Sequence, residues 1–498
     1  MSDHLSDPPP EPPAPPPPDP AAEVGGLLDA RARMDRAGRR SGSKLYSGGI
    51  GVLIAALGYF AYTSKAADPM HLYLGLVIFT LAVIPGLLWA KRARFGLPLF
   101  EAFMIPGVNT YAIPLMSGHE AFARYDNGTI TEAGVAVVLF QAVAIFTYYR
   151  VKTKPKRGPV WRNSVLSKGG AKVLGYGMII TTVYSFVVQF TDWIPYAIFP
   201  EVRALCYGTG IIATFVTTRR WGQGELPHHD RAIFAVQLVF QVICTWMSLF
   251  LVQGVSILLL GLIGYVSGSK KVPIVLVIIC APLIGILYNG KGTMRVKYWD
   301  QHETNATKLM DAPAFFSEWI GNGLAVGQQK EGAGKSVGVL DRTSLIQMLC
   351  LVVDASPDRK PFLMGETYAQ IPGQFVPRIL WPAKPSGLIS TFTLSIYYGL
   401  QTAEEVSGTT IGFGMLPEAY ANFGFLGLAF LGVGLGLFFN KAAGWCAESP
   451  IFSYPGLFTI VLMAWTFQTE QPLSGWLASM SQACECVIGG PFILKNFL

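Results

Sequence analysis

Residues 130–172 read ITEAGVAVVLFQAVAIFTYYRVKTKPKRGPVWRNSVLSKGGAK. An apolar run from Ile130 to Tyr149 opens onto Arg150, Lys152, Lys154, Lys156, Arg157, Arg162, Lys168 and Lys172, with no acidic residue among them. About 20 apolar residues make a helix long enough to cross the hydrocarbon core, and a basic flank holds its end of a span in the cytoplasm. The junction therefore predicts a membrane helix entering the cytoplasm at Arg150. Nucleic-acid or anionic-lipid binding by the basic loop is the weaker reading, because juxtamembrane cations are topology determinants first.

The rest of the chain has the same character. Of its 498 residues 51% are hydrophobic and 14% charged, and the mean hydropathy is +0.40. A soluble domain is about 25% charged, so composition predicts an all-α polytopic membrane protein. The formal charge of +7 sits in loops between apolar runs, where it reports orientation. Seven cysteines are present. Cys206, Cys244, Cys280, Cys484 and Cys486 fall in apolar segments and only Cys350 is expected on an oxidising side, so no disulfide framework is predicted.

Toward the N-terminus, residues 1–26 are acidic and crowded with proline, a composition that cannot bury a core. Arg31, Arg33, Arg36, Arg39, Arg40 and Lys44 then precede the first apolar run, which places the flank inside. Nothing resembles a signal peptide. Apolar runs predict about twelve spans: 46–64, 71–90, 96–116, 130–149, 173–191, 200–218, a hairpin over 232–268 turned near Gln253-Gly254, 272–289, 415–439, 454–469 and 475–495. Both termini fall in the cytoplasm. The third span, with Glu101, Pro106, Asn109 and Pro114, is expected to be the least regular. His228 and His229 lack further ligands at metal spacing. No internal repeat is visible, which argues against transporter folds of paired halves. The expected organisation is a tail over 1–44, spans over 45–289, a large outer segment over 290–411 and final spans over 412–498. Within the outer segment, 313–320 and 337–353 have the pattern of short amphipathic helices lying on the membrane.

That outer segment contains GETYAQIPGQFVPRILWPAKP at 365–385. Pro372, Pro377, Pro382 and Pro385 exclude a continuous helix and predict a stiff extended loop. It carries Arg378, Lys384, Trp381 and Glu366. An arginine fork suits phosphate and an indole face suits a sugar ring, so the loop is suited to an anionic, partly apolar ligand. The run from Val376 to Pro385, preceded by Gly365-Glu366-Thr367-Tyr368, resembles the large outer loop of bacterial O-antigen and exopolysaccharide repeat-unit polymerases of the Wzy type. Residues 412–424, GFGMLPEAYANFG, look like the next segment of that family. Leu340 to Ser344 and Gly290 to Arg295 resemble its patches less specifically.

The resemblance implies a GT-C-like glycosyltransferase of the inner membrane. Its substrate would be an oligosaccharide on polyprenyl pyrophosphate, and no nucleic acid would be involved. A chain-length regulator protein is a possible partner. Charge gathers on the departing pyrophosphate, so fixed cations lower the barrier. The outer segment has no compact carboxylate pair, so a metal-independent reaction is expected, with no cofactor. Arg378, Arg342, Arg295, Lys291 and Lys384 are the candidate cations, with salt bridging and lipid anchoring as their structural alternatives. Glu418 is the leading carboxylate for the acceptor's proton, with Glu366 and His302 behind it. Asn422 shares a helix face with Glu418. Trp381, Tyr368 and Tyr420 could stack on sugars or serve as interfacial aromatics. A ligase that transfers finished glycan and a non-enzymatic transporter or flippase are the rival functions. Residues 332–336, GAGKS, lack the upstream glycine of a phosphate loop, and the sequons at Asn127 and Asn305 carry little weight.

Overall fold

Every regular element among the described residues is helical. The computed structural model describes residues 44–91, 97–151, 170–191, 193–194, 199–249, 251–269, 271–300, 309–328, 344–376, 381, 383–407, 410–447, 449–450, 453–485 and 488.

The first helices are α1 (Lys44–Thr63) and α2 (Pro69–Ala90), which starts where Asp68 accepts from the Met70 amide. The third apolar run is broken as its prolines require. It forms α3 (Leu99–Met104), a π-helical turn over Val108–Ala112 and α4 (Ile113–Ser117), which stops at left-handed Gly118. Next come α5 (Asn127–Arg150), capped by Asp126, then α6 (Gly170–Phe190), α7 (Phe199–Gln223), α8 (His228–Met247) and α9 (Leu251–Ser269). Helices α10 (Ile274–Arg295) and α11 (Ala312–Gln328) follow. The outer segment adds α12 (Ile346–Ala355), α13 (Glu366–Ala369), α14 (Ile371–Gln374) and α15 (Ile389–Tyr397). The chain closes with α16 (Met415–Cys446), α17 (Tyr454–Trp465) and α18 (Leu473–Cys484).

Among the described residues, seven helices are long and apolar enough to cross a membrane: α1, α2, α5, α8, α9, α16, and α10 with its continuation to Tyr298. Twelve were expected. The run over 96–116 is interrupted, α17 and α18 have 12 residues each, and α7 is diluted by arginines and threonines. Val275, Leu276, Ile278 and Ile279 on α10, with Val52 and Ile54 on α1, are exposed. Such faces on helices of span length suit lipid rather than water.

Close backbone approach orients the bundle. On α16, a Cβ at Gly436 would lie 2.8 Å from the Ala144 carbonyl of α5, so the two helices touch through small residues. They run in the same direction, since Tyr420 meets Glu132 at one end and Asn440 meets Tyr148 at the other. Helix α2 is parallel to α5, with His71 at Asn127 and Pro85 at Tyr149. The Lys91 ammonium lies over the Tyr46 ring, 5.1 Å from its centroid. Lys91, Arg150 and Lys441 thus share one end of the bundle. The 365–368 and 412–424 patches lie at the other. The principal core fills the space between α2, α3, α5, α12, α16, α17 and α18, and a smaller one joins the α8–α9 connection to α10 and α11.

Several local expectations change. The α8–α9 turn falls at Ser248–Leu249, not at Gln253-Gly254, which lie inside α9. Helix α10 runs past Gly290, where the outer segment was expected to begin. Residues 313–320 belong to α11, which packs antiparallel along α10 through Trp319 Nε1 to the Leu287 carbonyl (2.6 Å) and Lys297 to Glu318 (2.8 Å). Helix α12 is wedged against α5 and α16. Its Cys350 is fully buried rather than facing an oxidising compartment. Residues 365–376 are two single-turn helices rather than extended chain, because Pro372 sits in a first turn, where no amide is needed.

Candidate functional site

The two sequence patches meet at a break in α16. Phe423 (φ −144°, ψ 17°) and Gly424 (φ 59°, ψ −140°) leave the helical region, so a short N-terminal piece containing Glu418 and Asn422 is separated from the long C-terminal piece. The Gly424 conformation is essentially reserved for glycine. A break frees backbone groups that a buried site must satisfy. The 363–365 segment does so: Leu363 N donates to Ala421 O (2.9 Å) and Met364 N to Asn422 O (3.2 Å). Gly365, left-handed at φ 95°, donates to Asn422 Oδ1 (3.0 Å).

Asn422 and Glu418 both have 0% exposure. The Asn422 amide donates to Thr367 Oγ1 and to Glu418 O, each at 2.8 Å. Glu418 Oε2 accepts from Leu473 N (2.6 Å), the first residue of α18, so the carboxylate caps a helix N-terminus where its charge is favoured. Its Oε1 is buried without a hydrogen bond of full geometry, although the Thr367 side chain lies beside it. The network closes through Ser474 Oγ to Ser390 Oγ (2.6 Å) and Ser390 Oγ to Thr367 O (3.2 Å). Four separate segments are joined in this way. Tyr368 packs 6.4 Å from the Phe423 ring, and burial, with Glu418 behind it, pushes its phenol well above the usual range. Glu366 is exposed.

Lys384 is buried and donates to Gln374 O (2.6 Å) and Val376 O (2.8 Å), with Glu485 nearby. It ties together the ends of the proline-rich loop. Trp381 is 42% exposed, and a Cβ on Gly373 would lie 3.2 Å from its ring. Lys291, on α10, lies near the Tyr288 ring and the Glu470 carboxyl. Burial raises the Glu470 pKa, and the Lys291 charge pulls it back. Arg295 donates to Leu249 O (3.1 Å) at the α8–α9 turn. Arg378, Arg342 and His302 lie outside the described residues.

The structure thus brings Glu366, Tyr368, Glu418, Tyr420 and Asn422 together, with Lys384 and Trp381 on the adjoining loop and Lys291 and Arg295 on α10. Glu132 was missed by the sequence reading. Its Oε1 accepts from Tyr420 Oη at 2.5 Å. A carboxylate near the start of an apolar run is the signal that could have found it. No group of His, Cys, Asp and Glu among the described residues could hold a metal ion, and His228 and His229 are exposed. No curated protein and no solved structure matches the chain. Residues 178–468, more than half of the sequence and including both patches, match the model of a domain of unknown function, DUF8712, and the chain belongs to that family.

Proposed function

We propose that the protein is a bacterial inner-membrane glycosyltransferase that joins polyprenyl-pyrophosphate-linked oligosaccharide units at the outer face of the bilayer. The observation that carries this reading is the convergence of the patches at 365–368 and 412–424, the stretches that resemble repeat-unit polymerases, into one hydrogen-bonded unit. Its position at the end of the bundle opposite Lys91, Arg150 and Lys441 supports an outer location by the positive-inside rule.

In this reading the hydroxyl oxygen of the incoming unit bonds to the anomeric carbon of the growing chain. The bond from that carbon to the pyrophosphate oxygen breaks, and its electron pair leaves with the pyrophosphate, which can take the hydroxyl proton. Lys384, Lys291 and Arg295 each face acceptors of the protein itself. They position the loop and α10, leaving Arg378 and Arg342 to stabilise the leaving group. Glu418 is sealed from solvent and acts as a positioning residue through α18, while Glu366 is the carboxylate open to substrate.

The test is purified protein in lipid nanodiscs with a radiolabelled polyprenyl-pyrophosphate-linked oligosaccharide. A ladder of lengths is expected. A single transfer to a foreign acceptor would mark a ligase, and no new glycosidic bond would overturn the enzymatic reading. Arg378→Ala is expected to abolish extension with insertion intact, and chelators to leave it unchanged.

A further inference from the structure

A second constellation opens on the opposite side of the α16 break. The N-terminal turns of α2 and α5 and the first turn beyond the break border an open surface cleft of about 530 Å³, comparable in volume with ligand pockets. Asp68, Asn127, Thr131, Glu132 and Phe425 line it. Its rim is fixed before any ligand arrives. Asp68 Oδ1 accepts from Met70 N (2.7 Å), Asp126 Oδ1 accepts from Thr129 N (2.6 Å), and His71 Nε2 meets the Asn127 carbonyl (3.3 Å). Its floor is fixed from α16, where the Tyr420 hydroxyl donates to Glu132 Oε1 and the Tyr420 ring stands edge-on to Phe425 at 5.6 Å.

Glu132 differs from Glu418 in being only partly buried. Tyr420 occupies one of its oxygens, and among the described residues nothing donates to the other. The lining therefore offers two carboxylates, an amide and a hydroxyl around one aromatic side chain, Phe425, that is 37% exposed. Each polar group suits a different ligand atom: carboxylates accept from hydroxyl groups, a carboxamide both donates and accepts, and an aromatic face packs on apolar C–H groups. A phosphate would be repelled by the carboxylates. A metal ion would find no compact ligand group among the described residues, and a quaternary ammonium would find one ring where a cage uses several. A sugar ring, hydroxylated at its edge and apolar on its face, satisfies all of them.

We propose that this cleft is a saccharide subsite that takes an uncharged, hydroxyl-bearing sugar, with Glu132 and Asn127 bonding its hydroxyls and Phe425 under its ring. Its place in catalysis, as the seat of the incoming unit, rests on the glycosyltransferase reading above. Binding itself does not. Tyr420 joins the cleft to the Asn422 network two residues away, so the sugar is seated by the same break that supports the outer loop.

The experiment is saturation-transfer NMR on the full-length protein in detergent with methyl α-glucoside, methyl β-galactoside and N-acetylglucosamine as probes. Wild-type protein is expected to transfer saturation to the ring protons of at least one probe, and Glu132→Gln to lower that transfer several-fold. The amide oxygen of Gln still accepts from Tyr420, so the fold is retained. Asn127→Ala, at an exposed rim position outside the Asn422 network, is expected to weaken transfer with an unchanged melting temperature. No transfer to any probe from folded protein, or transfer undiminished in both variants, overturns the proposal. Sugar binding without turnover of the lipid-linked substrate would leave the subsite standing and remove the enzymatic reading. A normal ladder with unchanged acceptor KM in both variants would do the reverse.

Discussion

The two ends of α16 hold the same residue in opposite employments. Near the N-terminal end Asn422 lies beside a break and binds three groups, the Gly365 amide, the Thr367 hydroxyl and the Glu418 carbonyl. Near the C-terminal end Asn440 sits in unbroken helix and donates to two carbonyls, Tyr148 O (2.6 Å) and Val151 O (2.9 Å), where α5 ends. Both side chains are buried. Asn440 closes the end of α5 from a neighbouring helix and leaves the surrounding packing regular. Asn422 instead uses both its amide oxygen and its amide nitrogen on the 365–367 turn, adding side-chain bonds to the backbone ones that Leu363 and Met364 make. The difference separates a residue that finishes an element from one that assembles a site.

The largest expected effect follows from that difference. Asn422→Ala strands the Gly365 amide inside the protein and frees the Thr367 hydroxyl, a loss of about 3 kcal/mol when buried donors lose their partners. Asn440→Ala leaves carbonyls that each have a second lone pair near the basic end of the bundle, a loss of about 1 kcal/mol. Thermal unfolding of the two variants in the same detergent measures the gap. Equal losses would mean that the outer network is no more than a cap. The same pair sharpens the functional reading, since Asn422→Ala is expected to eliminate polymer formation at temperatures where Asn440→Ala retains it.

A smaller effect is expected at the break itself. Gly424→Ala forces a Cβ into a backbone region that only glycine occupies comfortably, at about 2 kcal/mol, and sets it 3.0 Å from the Phe362 ring. The chain can respond by straightening α16, which would withdraw Phe425 from the cleft and the Ala421 and Asn422 carbonyls from the 363–364 segment. Proteolysis of the outer segment reads that response. Faster cleavage in Gly424→Ala than in wild type is expected, and an unchanged rate would show that the break is maintained by its surroundings alone.

The sequence carried some of this and hid the rest for physical reasons. The junction at 130–172 displays its span because lipid demands a long apolar run, a property of consecutive residues, and α5 fills that run from Asn127 to Arg150. Glu418 and Asn422 were legible as one helix face from their spacing of four. That the face looks into protein was not, because the amide that meets Glu418 belongs to Leu473, 55 residues away. Lys384 reads as a cation for a ligand until the fold delivers the carbonyls of Gln374 and Val376 to it. Gly254 reads as a turn, whereas its small size accommodates the Trp246 indole, and the turn falls instead at Leu249 with φ 59°. The twelve-span expectation came from counting apolar runs, and hydropathy does not distinguish a full crossing from 12-residue helices such as α17 and α18. Glu132 was hidden by its setting, a single carboxylate in a run whose apolar neighbours defined the span.

The smallest effect tests whether the long C-terminal piece of α16 is ordinary helix. Gly434 is exposed, lies in regular helix and would place a Cβ with no atom within 4 Å. Alanine there removes the entropy that glycine loses on folding and adds a methyl group to an open face, so Gly434→Ala is expected to raise stability by about 0.5 kcal/mol. Gly424→Ala moves the other way in the same helix, ten residues earlier. Opposite signs would locate the special backbone at the break and nowhere along the C-terminal piece. A loss at Gly434 comparable to that at Gly424 would mean that the whole of α16 needs freedom to bend, and then the break would be one point on a flexible helix rather than the fixed joint on which both the Asn422 network and the Glu132 cleft depend.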